Sequence, residues 1–196
     1  MRHFLGCALP MAGLFAVALG GGSALPHDVD VDNADISACE IDAFSVDPDP
    51  KGLNVRSGPG TGNPVIARLP PRVEVQGSTF GVAVSITGSK NGWFRIDRAE
   101  TDIPDRDVEV VFEGEGWVSG RFLGLWVEEQ YLRGGPSDDA AIVADLYASD
   151  DSNAYFDLDR LHACHGSWVE VEGTYDGKHL RGWSNWPCPS QVTTCP

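Results

Sequence analysis

The chain repeats itself, and this repeat constrains its fold more than any other feature. Residue 53 falls on residue 130 when the sequence is slid along itself by 77 residues, so that Leu53–Gly60 aligns with Gln130–Ser137. At the same offset Val65–Leu69 aligns with Ile142–Leu146. A solenoid has shorter units, of about 20 to 50 residues, and needs at least three of them. The sequence therefore predicts one duplicated module.

Later blocks of the repeat keep the order with smaller offsets. Gly92–Ile96 aligns with Ser167–Val171, and Gly116–Val118 aligns with Gly182–Ser184. Loops that connect strands tolerate changes of length, so an offset that shrinks along the chain indicates shorter loops in the second copy.

Apolar and polar residues alternate within each copy. A period of two predicts strands, with Phe94 and Ile96 inward in the first copy and Val169 and Val171 inward in the second. The chain also contains 23 Gly and 13 Pro, which suits short strands joined by turns better than a helical bundle. We therefore expect an all-β fold.

Four segments of the first copy resemble the bacterial SH3 domain in order and spacing: Leu53–Gly60, Pro64–Leu69, Asn91–Ile96 and Gly116–Leu123. The second copy keeps Tyr131–Ser137 and Trp168–Val171, but Trp183-Ser184-Asn185 departs from the usual Gly-Trp-Val. The resemblance implies two small SH3-like five-stranded barrels in tandem. We expect the first copy to span residues 38–125 and the divergent second copy to span residues 126–196.

The residues before the first copy have a different character. Residues 1–24 have a basic tip, an apolar stretch and small residues at Gly22 and Ala24, which together indicate a secretory signal peptide. Residues 25–37 carry four Asp and are predicted to form an acidic linker. The expected location is therefore secreted or periplasmic, with no membrane span after the signal peptide is removed.

The charge of the chain limits its partners. A formal net charge of −15 repels polyanions, so we expect no nucleic acid partner. The acidic surface leaves open a protein adaptor, or an inhibitor of a basic partner, as an alternative function. A complex steered by charge should associate more slowly at high ionic strength, so the salt dependence of binding would test that alternative.

Four cysteines remain after the signal peptide is removed, and an even number in an oxidising compartment predicts disulfides. If residues 168–172 and 180–184 form a hairpin with Glu172 opposite Leu180, Cys164 lies opposite Cys188. That pairing leaves Cys39 with Cys195. Four cysteines allow three connectivities, so the assignment stays open.

The densest cluster of reactive residues is His162, Cys164 and His165, which raises a small Cys/His hydrolase as a further alternative. Three ligands within four residues cannot easily surround one ion, and no fourth ligand has a recognisable spacing. We therefore expect no metal, no cofactor and no catalytic residues.

A binding role remains. Trp93 and Trp168 are expected on the outward faces of their strands, beside the turns at Ser57-Gly58-Pro59 and Gly134-Gly135-Pro136. What the resemblance implies is attachment to a cell-envelope ligand, either a cell-wall peptide or glycan or an envelope protein, without catalysis. The sequence does not indicate an oligomeric state. The candidate ligand-binding residues are Asn54, Arg56, Ser57, Trp93, Trp117, Arg133 and Trp168.

Overall fold

The structure is a computed structural model and describes residues 35–151, 154–185 and 187–191. The predicted signal peptide and most of the acidic linker lie outside the described residues. The strands, in chain order, are β1 (Ser37–Ser45), β2 (Asn54–Arg56), β3 (Val65–Arg68), β4 (Val73–Val75), β5 (Ser78–Phe80), β6 (Val82–Lys90), β7 (Trp93–Thr101), β8 (Glu109–Ser119), β9 (Leu123–Gly124), β10 (Tyr131–Arg133), β11 (Ile142–Asp145), β12 (Asp157–His165), β13 (Trp168–Tyr175) and β14 (Lys178–Asn185).

The fold of the described residues is all-β, as the sequence predicts, with one 3-10 turn at Gly120–Phe122 and no α-helix. No helix in this part of the chain has the length and apolar character needed to cross a membrane.

Seven strands form a curled sheet with the order β3-β2-β8-β7-β6-β1-β9. Five strands form a second sheet with the order β11-β10-β14-β13-β12, and β4 and β5 form a separate hairpin. Strands that the repeat aligns hold equivalent positions in the two sheets. The first sheet exceeds the expected five strands because β1 adds to β6 and β9 adds to β1.

Backbone hydrogen bonds around the first turn of each copy are also equivalent. In each copy, the amide that follows β2 or β10 donates across the turn. The amide that follows β3 or β11 donates to the carbonyl of the residue before β2 or β10. The bonds are Ser57 N–H to Pro64 O, Gly134 N–H to Ala141 O, Leu69 N–H to Leu53 O, and Leu146 N–H to Gln130 O, at 2.7 to 3.0 Å.

Inward side chains of both copies form one continuous core. Phe94, Ile96, Val169 and Val171 are fully buried, which confirms their predicted orientation. They belong to the same apolar cluster, so the two copies pack against each other. Burial of apolar surface is the main stabilising contribution to such a core.

The first strand, β1, joins the two copies. Its alternating sequence buries Cys39, Ile41, Ala43 and Ser45, and Ser37, expected in the acidic linker, begins the strand. Cys39 forms a disulfide with Cys164 on β12, with their Cα atoms 5.8 Å apart.

The predicted pairing of Cys164 with Cys188 is therefore wrong, and so is that of Cys39 with Cys195. Cys164 lies on β12, which pairs with one side of β13, whereas β14 pairs with the other side. The central strand thus separates Cys164 from the chain that continues beyond β14. Cys188 is also disulfide-bonded, and Cys195 lies outside the described residues.

Gly120 allows the two copies to approach closely. A Cβ atom at this position would lie 2.3 Å from the Leu161 carbonyl oxygen of β12 and 2.5 Å from the Phe94 ring. Both distances are far below van der Waals contact, so the absence of a side chain at Gly120 is a condition of this packing.

Candidate binding site

A cavity of about 300 Å³ opens in the first copy beside β2, β7 and β8. It combines aromatic and aliphatic surface with two arginines and one carboxylate. Its lining residues are Asp47, Leu53, Asn54, Arg56, Thr61, Trp93, Ser119, Arg121 and Phe122. Three of the candidate ligand-binding residues, Asn54, Arg56 and Trp93, therefore meet at one site.

Strand register explains why these residues meet. Trp93 of β7 lies opposite Ser119 of β8, and Trp117 of β8 lies opposite Arg56 of β2. Residues two apart on a strand share a face, so Asn54 shares the face of Arg56 and Ser119 shares that of Trp117. The sheet thus presents Asn54, Ser119 and Trp93 on one face.

Trp117 does not line the cavity and is only 3% exposed. It lies between Arg56 and Arg95 on the two flanking strands. Long arginine side chains can cover an aromatic neighbour with their aliphatic stems. Its proposed role in ligand binding is therefore not supported.

Arg56 holds the turn that forms one wall of the cavity. Its Nη1 atom donates to the Thr61 carbonyl at 3.0 Å and to the Asn63 carbonyl at 2.7 Å. Ser57 begins this turn and is exposed, but it does not line the cavity. Arg56 thus stabilises the conformation of the turn, and a ligand in the cavity would contact that turn.

Two acceptor groups lie in the wall. Asp47 is 8% exposed, and its Oδ1 atom accepts the Asp49 N–H at 3.0 Å. The Oδ1 atom of Asn54 is buried and has no hydrogen-bond partner among the described residues. A buried acceptor without a partner is costly, so this atom is a source of local instability in the wall.

Arg121 and Phe122 complete the site from the 3-10 turn after β8. The Ser119 hydroxyl accepts the Arg121 N–H at 3.4 Å and so caps this turn. The exposed Arg121 guanidinium lies 5.8 Å from the centre of the Phe122 ring, a cation–π distance.

Equivalent positions in the second copy are arranged differently. Arg133 repeats the role of Arg56, since its Nη1 atom donates to the Ala140 carbonyl at 3.1 Å. Trp168, predicted to face outward like Trp93, is only 9% exposed. Asn185 lies opposite Trp168 and is bound by the Ser167 hydroxyl at 2.6 Å, so the surface beside this tryptophan is occupied by contacts within the protein.

The reactive cluster of the second copy does not form a nucleophile and base. Cys164 is fully buried and its sulfur is bonded to Cys39, so no thiolate is available for attack while the disulfide is intact. His162 contacts Glu172, and His165 lies 3.3 Å from the Ser37 hydroxyl. No group of three or more His, Cys, Asp or Glu side chains in the described part of the chain is arranged to hold a metal ion.

Sequence reasoning missed six residues that line the cavity: Asp47, Leu53, Thr61, Ser119, Arg121 and Phe122. A signal was present for Asp47, because Asp-Pro-Asp-Pro at residues 47–50 is typical of turns in which an Asp side chain accepts a nearby amide. Arg121 and Phe122 lie inside the segment that carries the resemblance. Nothing in the sequence shows that the 3-10 turn places them beside the same cavity as Trp93.

No family model, curated protein or solved structure matches this chain.

Proposed function

We propose that this protein is a secreted or periplasmic, non-catalytic binding protein whose two copies are bacterial SH3-like modules. The first copy holds the ligand site, and its ligand is a peptide of the cell envelope. One observation carries the proposal: Asn54, Arg56 and Trp93, selected from two separate segments of the sequence, line one cavity of the size that small ligands occupy.

The repeated strand order supports the modular part of the proposal. The portions β3-β2-β8-β7-β6 and β11-β10-β14-β13-β12 correspond strand by strand. This is the arrangement expected if two copies of one small barrel-forming unit were joined. The family assignment itself rests on the sequence motifs.

Cavity chemistry favours a peptide over a neutral glycan. Trp93 and Phe122 offer apolar surface, Asp47 offers a carboxylate, and Arg121 offers a cation. A short peptide that carries an amino or amide donor and a carboxylate can satisfy both kinds of group. Cell-wall peptides carry such groups, whereas an uncharged polysaccharide chain does not.

The test is co-sedimentation with purified peptidoglycan, followed by calorimetric titration with soluble peptides released from it. We expect wild-type protein to bind and Trp93→Ala to lose at least about tenfold in affinity, since aromatic anchors dominate binding sites. Tyr155→Ala is the matched control, because Tyr155 is an exposed aromatic residue outside the cavity.

A charge-reversal pair tests the cavity independently of the aromatic ring. Arg121→Glu should weaken binding, whereas Arg72→Glu, the same change at an exposed site outside the cavity, should not. If wild-type protein and Trp93→Ala both stay in solution, the proposed ligand class is wrong. If all four variants bind equally, the ligand is bound elsewhere on the surface.

A further inference from the structure

Two exposed apolar pairs occupy equivalent positions on the outermost strands of the two sheets. Val65 and Ile66 on β3 are 46% and 50% exposed, and Ile142 and Val143 on β11 are 53% and 51% exposed. Among the described strands, β3 pairs only with β2 and β11 pairs only with β10. Each pair therefore lies on a strand that could accept another strand beside it.

The edge of the first copy is protected against such pairing. Pro64 precedes β3, and Pro70 and Pro71 follow it, and proline cannot donate a hydrogen bond to a neighbouring strand. Arg68 ends the strand and Arg72 directly follows the two prolines. Prolines and basic residues are common means of preventing contact at an edge strand.

The edge of the second copy lacks this protection. Residues 137–151, which include β11, contain no proline and no Lys, Arg or His. The same residues contain five Asp: Asp138, Asp139, Asp145, Asp150 and Asp151. The two edges thus share shape and apolar side chains but differ in charge and in protection.

The side chains around β11 are available at the surface. Asp138 and Asp139 are exposed and precede the strand, and the Tyr147 ring follows it and is 67% exposed. Asp145 ends the strand and is only partly exposed, because the Gln130 amide and the Tyr147 N–H donate to it. An apolar pair therefore lies between acidic positions along a strand that has one edge without a neighbouring strand.

We propose that the edge of β11 binds an extended basic segment of a partner protein, which adds to the sheet as a further strand. Backbone hydrogen bonds to β11 give this mode of binding its affinity, and alternate side chains give its specificity. Apolar residues of the segment contact Ile142 and Val143, and its Lys or Arg residues face Asp138, Asp139 and Asp145. The overall charge of −15 adds a long-range attraction for a basic partner.

This surface is separate from the cavity of the first copy, so it can be tested separately. The probe is a fluorescently labelled short peptide of alternating lysine and valine, titrated by fluorescence anisotropy at low and at physiological ionic strength. We expect binding that weakens with salt, as charge-assisted association does. Trp93→Ala should bind this probe as wild-type protein does.

The repeat supplies the matched control. Ile142→Lys should lower the affinity for the probe at least about tenfold, which corresponds to about 1.4 kcal/mol. Val65→Lys makes the same kind of change at the equivalent position of β3 and should leave affinity unchanged. Circular dichroism checks that both variants remain folded.

A second probe distinguishes strand addition from simple charge attraction. The same peptide with N-methylated valines keeps its charge but cannot form the backbone hydrogen bonds, and we expect it not to bind. In the wild-type complex, hydrogen exchange at the amides of β11 should slow on addition of the unmethylated peptide.

Three results would overturn the proposal. The methylated peptide could bind as tightly as the unmethylated one, or Ile142→Lys and Val65→Lys could weaken binding equally. Alternatively, the protein without peptide could self-associate in sedimentation experiments and lose this association in Ile142→Lys, which would assign the edge to a second copy of the chain.

Discussion

Arg56 and Arg133 both hold the first turn of their copy, and Arg56 also lines the candidate binding cavity. Arg56 donates to two turn carbonyls and Arg133 to one. Arg56→Met should lower the free energy of unfolding by about 1–2 kcal/mol, because it leaves two carbonyls without a donor. Arg133→Met should lower it by less.

The two arginine variants should also differ in their affinity for ligand. Arg56→Met should reduce affinity for cell-wall peptides, because the turn that forms a wall of the cavity loosens, whereas Arg133→Met should not. Urea unfolding and the calorimetric titration measure these effects. Equal loss of binding in both variants would contradict the assignment of the site to the first copy.

The burial of a residue was predictable where the alternation of apolar and polar residues alone determines it. Alternation placed Phe94 and Ile96 inward, and both are fully buried. It did not show that Trp168, expected on an outward face, and Trp117, a candidate ligand-binding residue, are buried, because a strand pattern distinguishes two faces but does not show what covers the outer one. Arg95 and Arg56 flank Trp117 from neighbouring strands, and that register comes from the assembled sheet.

At the scale of strands, the repeat predicted which strands of the two copies are equivalent, and these strands hold equivalent positions in the two sheets. It did not predict β1, which has no aligned partner in the second copy, although its alternating sequence indicates a strand. The hairpin register was wrong by one position: Glu172 lies opposite Arg181 instead of Leu180. This shift of one residue does not explain the wrong disulfide prediction. Cys164 and Cys188 were paired across the hairpin of β13 and β14, whereas Cys164 lies on β12, on the other side of β13.

Glu172 connects the three strands β12, β13 and β14 through its carboxylate. It contacts His162 of β12, and its Oε1 atom lies 3.3 Å from His179 Nε2 of β14. The hydrogen bond with His162 lowers the pKa of Glu172 below its ordinary value of 4.5, burial opposes this shift, and the charges of His162, His179 and Arg160 reinforce it.

The lowered pKa of Glu172 determines how its contribution to stability depends on pH. The contribution of Glu172 to stability is complete above 4.5 and is lost as the pH falls through the lower pKa of the folded state. Glu172→Gln should therefore be less stable than wild type by about 1–2 kcal/mol near neutral pH, which is the usual value for a hydrogen bond to a charged group reduced by solvent screening of a partly exposed side chain. The difference should shrink as the pH falls below 4.5.

Urea unfolding of wild-type protein and Glu172→Gln across this range measures the difference. Glu74→Gln, an exposed change on β4, controls for the general effect of removing a surface carboxylate and should have a smaller effect at every pH. A constant difference between wild type and Glu172→Gln at all pH values would show that packing, and not charge, accounts for the loss.

At the scale of the whole molecule, the two copies are joined by a shared core, a disulfide and backbone hydrogen bonds. The Cys39–Cys164 disulfide joins residues 125 positions apart. Beside it, the Ser89 hydroxyl of β6 accepts the Cys164 N–H at 2.8 Å and donates to the Cys164 carbonyl at 3.3 Å. Further along, Trp126 and Cys188 exchange two backbone hydrogen bonds at 2.8 and 3.0 Å.

Removing the disulfide separates the effect of the covalent link from that of the shared core. In the chain-entropy account, a bridge that closes a loop of this length contributes about 4–5 kcal/mol, so Cys39→Ala/Cys164→Ala should lose about that much stability. The single variant Cys39→Ala should lose nearly as much, because it removes the same bridge. Tryptophan fluorescence and far-UV circular dichroism should still report one coincident transition in urea, since apolar residues of both copies form one core. Two separate transitions in the double variant would mean that the disulfide, and not the core, makes the copies unfold together.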